Sequence, residues 1–336
     1  MISIVTRCDI CRTPSGPGLV EGDYGYRVTP VRSLQPSDAD QLVQRVVDQL
    51  IGDAFVNPLV NPMVDQRLLR DSFRATNERA WVADEHKQLT GHLYGAVLGD
   101  RAGERAVWTG PDGVSFDDDQ VLRELHRTAL PYWRSTGARE HFVWCLSEPT
   151  RLEPWHALGY TLAAVRGSLE LRARATREFP DGYTLRRGTI DDFERCLKLD
   201  EILDTAQGVD LRTLSREQRI ADREELFETL SDDECHLYVV EHRGRIVAQC
   251  VTFPSPQRRG SFDHTIYLSE VVVEPHHEHR GVASALIDAA LSIALAHGFG
   301  YVETQWRLSN LRATLYWTNY GFSPTYVRLR RALEIS

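Results

Sequence analysis

The sequence predicts an α/β (α+β) protein built of two consecutive units with the same order of elements. Three observations carry this. The chain has 336 residues, about two domains' worth. Short β-branched runs bounded by turn residues alternate with amphipathic stretches that end at glycine. The element order then occurs twice, and Trp155-His-Ala-Leu-Gly159-Tyr160 is echoed by Trp317-Thr-Asn-Tyr-Gly321-Phe322.

Residues 1–22 read as a flexible N-terminal segment, and 23–174 as the first unit. Tyr26–Val31 is a strand, followed by a helical region with Ser37 and Asp38 as caps. Ala80–Asp84 and Leu89–Leu98 form a strand pair, and Ala106–Thr109 adds a third strand. Helix Asp119–Thr136 leads to strand His141–Cys145, then to a short helix ending at Gly159, then to strand Ala164–Arg172. Ala173–Gly182, charged and containing Pro180, is the linker.

The second unit, 175–336, repeats the order more clearly. Tyr183–Arg187 is a strand, Thr189-Ile-Asp-Asp192 caps helix Phe193–Leu203, and Arg216–Leu230 is a second helix. Strands His236–Glu241, Arg245–Phe253 and Thr265–Val273 follow, the first two joined by the turn His242-Arg-Gly244. Helix Val282–His297 stops at Gly298. Strand Tyr301–Arg307, helix Leu311–Asn319 with its stop at Gly321, and strand Thr325–Arg330 complete the chain.

Composition excludes more than it assigns. Hydrophobic content of 42% and charged content of 26% describe a soluble globular protein. A formal net charge of -9 argues against general affinity for nucleic acid. No apolar run reaches the roughly 20 residues of a membrane helix, and Met1 to Val20 lacks a signal-peptide pattern, so a cytoplasmic location is expected. Cys8-Asp-Ile-Cys11 has no second cysteine pair to complete a zinc site, and no metal is expected.

The most informative stretch is Val271-Val-Val-Glu-Pro-His-His-Glu-His-Arg-Gly-Val-Ala-Ser284. It reads as a strand, a turn opened by Pro275, and the start of an amphipathic helix. The first N–H groups of a helix have no intrahelical partners and suit an anion. Gly281 and Ala283 keep bulk away, so a phosphate can approach the backbone. Val-x-Pro followed by x-x-Gly-x-Ala resembles motif A of the GNAT acyltransferase superfamily, which binds the pyrophosphate of coenzyme A. Downstream, Asn310-x-x-Ala313-x-x-x-Trp317-x-x-x-Gly321-Phe322 resembles that family's motif B.

The resemblance implies two tandem GNAT-like domains, each a mixed, mostly antiparallel sheet flanked by helices. It implies acetyl-CoA or another acyl-CoA as co-substrate and a small-molecule or peptide amine as acceptor. By matching position, Val271, Val272 and Val273 hold the pantetheine arm and thioester oxygen through main chain. His279, Arg280, Gly281, Val282, Ala283 and Ser284 form the pyrophosphate cradle, and Asn310 and Trp317 lie on the motif B helix. The first unit has Asp117-Asp-Asp119 where the second has its cradle, and aspartates there would repel a pyrophosphate, so it is expected to be a degenerate copy.

Acyl transfer to an amine also needs a general base whose pKa is raised by burial. Glu270, three residues before Val273, is the first choice and His264 the second; Glu303 and Gln305 share one face of the next strand and could line the cleft. Two positions depart from the family pattern. Glu278 puts a carboxylate beside the cradle, among His276, His277, His279 and Arg280. Trp317 stands where the family's proton-donating tyrosine is expected, and an indole cannot act as that acid. Tyr316, about 100° away on the helix, is the alternative donor. These departures leave open a transferase with a non-CoA donor, an aminoacyl-tRNA or acyl-carrier protein, and a non-catalytic ligand-binding protein. Either a monomer or a homodimer fits.

Overall fold

The computed structural model describes residues 29–75, 80–99, 105–173, 175–206, 216–232, 234–255 and 259–333. The segment 1–22 and Cys8-x-x-Cys11 lie outside them.

The first half contains β1 (Val31–Ser33), α1 (Ala39–Val56), α2 (Gln66–Ala75), β2 (Ala80–Glu85), β3 (Gln88–Tyr94) and β4 (Ala96–Gly99). It continues with β5 (Arg105–Thr109), β6 (Val114–Phe116), α3 (Asp119–Ser135), β7 (Ala138–Leu146), α4 (Pro149–Ala157) and β8 (Thr161–Glu170). The strand expected over Leu89–Leu98 is broken at Gly95, where a Cβ would meet Val107 Cγ1 at 2.4 Å. The break lets β3 stay with β2 and β6 while β4 joins β5. Helix α2 and strand β6 were not expected from the sequence.

The second half contains β9 (Tyr183–Arg187), α5 (Phe193–Ala206), α6 (Arg216–Ser231), β10 (His236–His242), β11 (Arg245–Pro254) and β12 (Thr265–Val273). Then come α7 (Val282–Ala296), β13 (Tyr301–Arg307), α8 (Leu311–Tyr320) and β14 (Ser323–Ala332). A capping box at Thr189 and Asp192 leads into α5, as the sequence indicated.

The two halves are joined through one sheet of ten strands, in the order β4-β5-β7-β14-β8-β13-β12-β11-β10-β9. Each half contributes its last strand to the other. β8 pairs with β13 from Tyr301↔Glu170 to Arg307↔Ala164, and β14 pairs with β7 from Tyr326↔Leu146 to Ala332↔Glu140. The exchanged strands also pair with each other. A four-stranded sheet, β1-β2-β3-β6, completes the first half.

The apolar core of the second half lies on both faces of this sheet. Leu286, Ile287, Ala290 and Leu291 of α7 pack on Val247, Ile266, Val302 and Trp306. On the opposite face Cys196 and Leu199 of α5 pack on Val239, Val251 and Val272. Burying aliphatic side chains at this scale is the main stabilising term, at ~25 cal/mol per Å² of apolar surface.

Candidate active site

The site forms where two parallel strands part. β12 and β13 pair from Thr265↔Tyr301 to Leu268↔Thr304, and the Thr304 hydroxyl donates to Leu268 O at 2.9 Å. Beyond that point β13 stays with β8, while Val271–Val273 stay with β11. The register between β11 and β12 shifts at Ser269, which bends the strand. On the β13 side, Glu270–Val273 have no strand partner among the described residues, so their backbone groups border an open notch.

The notch ends at the N-terminus of α7. Gly281 is its N-cap, with φ 85, a left-handed conformation that disfavours any side chain. Gly281 brings no capping side chain to this helix end. A Cβ on Gly281 would meet nothing within 4 Å, so the space before the free N–H groups is open. Val282 is buried under the helix, Ala283 and Ser284 are half-buried, and His279 and Arg280 are exposed. The site therefore offers an anion the N–H groups of a helix N-terminus, the helix dipole and an arginine.

Glu278 does not compete with that anion as its position suggested. Its carboxylate pairs with Arg312 Nη1 of α8 at 3.2 Å and lies 3.8 Å from His279 Nε2. The loop histidines diverge: His277 Nδ1 is 2.7 Å from the Tyr183 hydroxyl, whereas His276 and His279 are exposed.

Glu270 lies on the α5 face of β12, where sequence reasoning placed no partner. The structure gives it one: its carboxyl group is hydrogen-bonded to Asp200 of α5. Gln249 Nε2 donates to Asp200 Oδ1. Burial pushes the Asp200 carboxyl up to about 8, with further lifts from Glu270 and Asp204 and a lowering by Gln249. Two carboxyl groups in this contact cannot both ionise cheaply, so the pair holds a proton into the neutral range. Asp204, Glu201 and Asp222 lie with Arg219 and Arg223 around an adjoining hollow of about 160 Å³ between α5 and α6.

The other sequence-derived choices separate. His264 is exposed at the head of β12, about 20 Å from Glu270 at strand spacing. Glu303 is 2% exposed on β13 opposite Tyr267 and Ser168, and its Oε2 has no hydrogen-bond partner among the described residues. Gln305 is half-buried opposite Arg166.

Helix α8 closes the cradle's other side. Asn310 caps it, Oδ1 accepting from Ala313 N at 3.0 Å. Trp317 is 8% exposed and stacks edge-on with Phe322 at 5.2 Å, inside the core. Tyr316 takes the outward position, its hydroxyl 3.1 Å from Ser284 Oγ in the first turn of α7. A phenol therefore lies between the two helices that flank the notch.

The model of the acetyltransferase (GNAT) family matches residues 200–322, the span from Asp200 to Phe322. The chain is also similar to a solved GCN5-related N-acetyltransferase from Sphaerobacter thermophilus. The two share 17% identity over 92% of this chain and 96% of the other, with a TM-score of 0.63. It is similar, too, to a tandem GNAT protein of the clavulanic acid biosynthesis pathway, at 18% identity over 91% and 99% of the two chains and a TM-score of 0.56. Residues 200–322 thus match the GNAT family, and the chain has the fold of tandem GNAT proteins. No curated protein matches the sequence.

The first GNAT-like half has a different interior at the equivalent place. β5 pairs in parallel with β7, as β12 does with β13, and β6 then leaves for β3. The Asp118 carboxylate caps α3, accepting from Val121 N at 2.9 Å, where α7 is uncapped. Arg45 pairs with Asp117 at 2.7 Å. Arg151 reaches the buried Asp53 at 3.3 Å, and the remaining cavity is about 30 Å³, room for about one water.

Proposed function

We propose that this chain is a CoA-dependent N-acyltransferase, moving an acyl group, acetyl by preference, from acyl-CoA to an amine of a small molecule or peptide. The observation that carries the reading is the open notch between β12 and β13. It runs from the Glu270–Asp200 pair to the uncapped N-terminus of α7. When bound, acyl-CoA supplies a thioester whose carbonyl carbon accepts the amine. Val271–Val273 offer backbone groups to the pantetheine arm, Gly281–Ser284 offer N–H groups to the pyrophosphate, and Arg280 offers charge. Glu270 takes a proton from the ammonium form of the acceptor, while Asp200, holding its own proton, donates a hydrogen bond to Glu270 and keeps the pair from carrying two charges. The Tyr316 hydroxyl is the donor for the departing thiolate.

The carboxylates around the α5–α6 hollow favour a cationic acceptor. The capped α3 and the filled notch of the first half support a single acyl-CoA site, in the second half. Among the described residues no helix is long and apolar enough to cross a membrane. The reading puts the reaction in the cytoplasm, on a monomer or homodimer.

Calorimetric titration with acetyl-CoA tests the cradle: the wild type should bind in the micromolar range and Arg280→Glu should not. Thiol release over an amine panel then tests the base, with Glu270→Gln expected to lose roughly 10²–10⁴ in rate. Absence of acetyl-CoA binding by the wild type would rule out the reading.

A further inference from the structure

A large cavity among the described residues lies away from the notch, on the sheet face opposite α3. It has a volume of about 510 Å³ and opens over β5, β7, β14 and β8 at the seam between the halves. Among the described residues its lining holds five arginines, Arg105, Arg139, Arg307, Arg328 and Arg330, and one carboxylate, Glu140. The whole chain carries -9 and has only two lysines, so this wall reverses the sign of the molecule locally. Guanidinium groups present paired, planar N–H donors that match oxyanions.

Arg328 shows that the wall is more than a solvated surface. Its guanidinium lies 5.3 Å from the ring centres of both Trp108 and Phe142, and 5.7 Å from that of Trp144. Burial, followed by the charge of Arg307, lowers its pKa to about 10. Its Nε is buried with no hydrogen-bond partner among the described residues. Glu140 lies 3.7 Å from Arg330 Nη1. Like charges held together in a partly desolvated hollow are costly unless an anion sits among them.

We propose that this cavity is a binding site for a multiply charged oxyanion, seated between the two halves and separate from the α7 cradle. The site exists through the strand exchange. Arg105 and Arg139 come from the first half, Arg307 from β13, and Arg328 and Arg330 from the exchanged β14. A ligand there bridges both halves and raises the melting temperature by mass action. It also changes the emission of Trp108, which lines the cavity.

The test uses the full chain carrying Arg280→Glu, so that the α7 cradle makes no contribution. Inorganic pyrophosphate and citrate are titrated separately, following tryptophan fluorescence and melting temperature. A saturable response is expected, weakened about tenfold or more by Arg307→Glu or Arg330→Glu, both at exposed positions. A preference for pyrophosphate identifies a phosphate-bearing ligand, and one for citrate a polycarboxylate. The proposal is overturned if neither probe gives a saturable response, or if both arginine variants titrate like their parent. Because cradle binding is removed at the outset, neither result bears on acyl-CoA use.

Discussion

Asp200 on α5 and Glu270 on β12 are hydrogen-bonded to one another through their carboxyl groups, with Gln249 donating to Asp200 from β11. The raised Asp200 carboxyl, at about 8, means that the folded chain binds this proton more tightly than the unfolded chain. The resulting stability is complete below the unfolded value near ~4 and is lost as pH rises through the folded value. Asp200→Asn keeps a neutral group in place and removes the titration. Between about pH 5 and pH 9 the wild-type melting temperature should fall relative to that of the variant. Parallel curves would mean that the pair does not share a proton.

Tyr316 reaches Ser284 across the gap between α8 and α7 at 3.1 Å. If its hydroxyl protonates the leaving thiolate, Tyr316→Phe should lower kcat by roughly tenfold or more and leave acetyl-CoA affinity nearly unchanged. Trp317→Phe should instead destabilise the fold, by roughly 1–3 kcal/mol, since it removes buried ring area beside Phe322. Steady-state kinetics and thermal melts on the two variants separate the roles; equal kinetic losses would sink the assignment to Tyr316.

Local chemistry was readable from the sequence, and long-range pairing was not. The bounds of β9, β12 and β13 follow from β-branched runs and turn residues. Gly281 and Gly321 announce their helix ends because φ of 85 and 114 favour glycine. The exchange of β8 and β14 left no such mark, since an alternating strand suits either neighbour and the choice is made by partners far away in the chain. Asp200 did leave a trace. It stands at i+4 from Cys196, between Leu199 and Leu203, on the stripe where α5 packs its apolar residues, and a carboxylate there asks for a partner. Arg312, exposed on α8, becomes relevant only once the fold brings it to Glu278.

The Glu278–Arg312 pair makes a further prediction about the cradle. Its groups are 35% and 82% exposed, so the pair itself contributes little, about 0–1 kcal/mol. Its effect is electrostatic, because it offsets a carboxylate beside the proposed pyrophosphate position. Arg312→Ala should weaken acetyl-CoA binding several-fold at low salt, with the difference shrinking at high salt. Glu278→Gln in the same chain should restore affinity. Failure of the second change to rescue the first would show that Arg312 contacts the ligand directly.

The capped helix of the first half gives the complementary test. The Asp118 carboxylate accepts from the Val121 N–H of α3 at 2.9 Å, and Asp117 is held by Arg45 at 2.7 Å. An anion would have to displace one carboxylate and approach two others, Asp117 and Asp119, which is electrostatically unfavourable. Asp118→Ala removes the cap and should cost about 1 kcal/mol of stability. Acetyl-CoA affinity and stoichiometry should stay as in the wild type, one site per chain. A drop in affinity would assign α3 a part in binding, and an unchanged melting temperature would show that the cap contributes nothing to the fold.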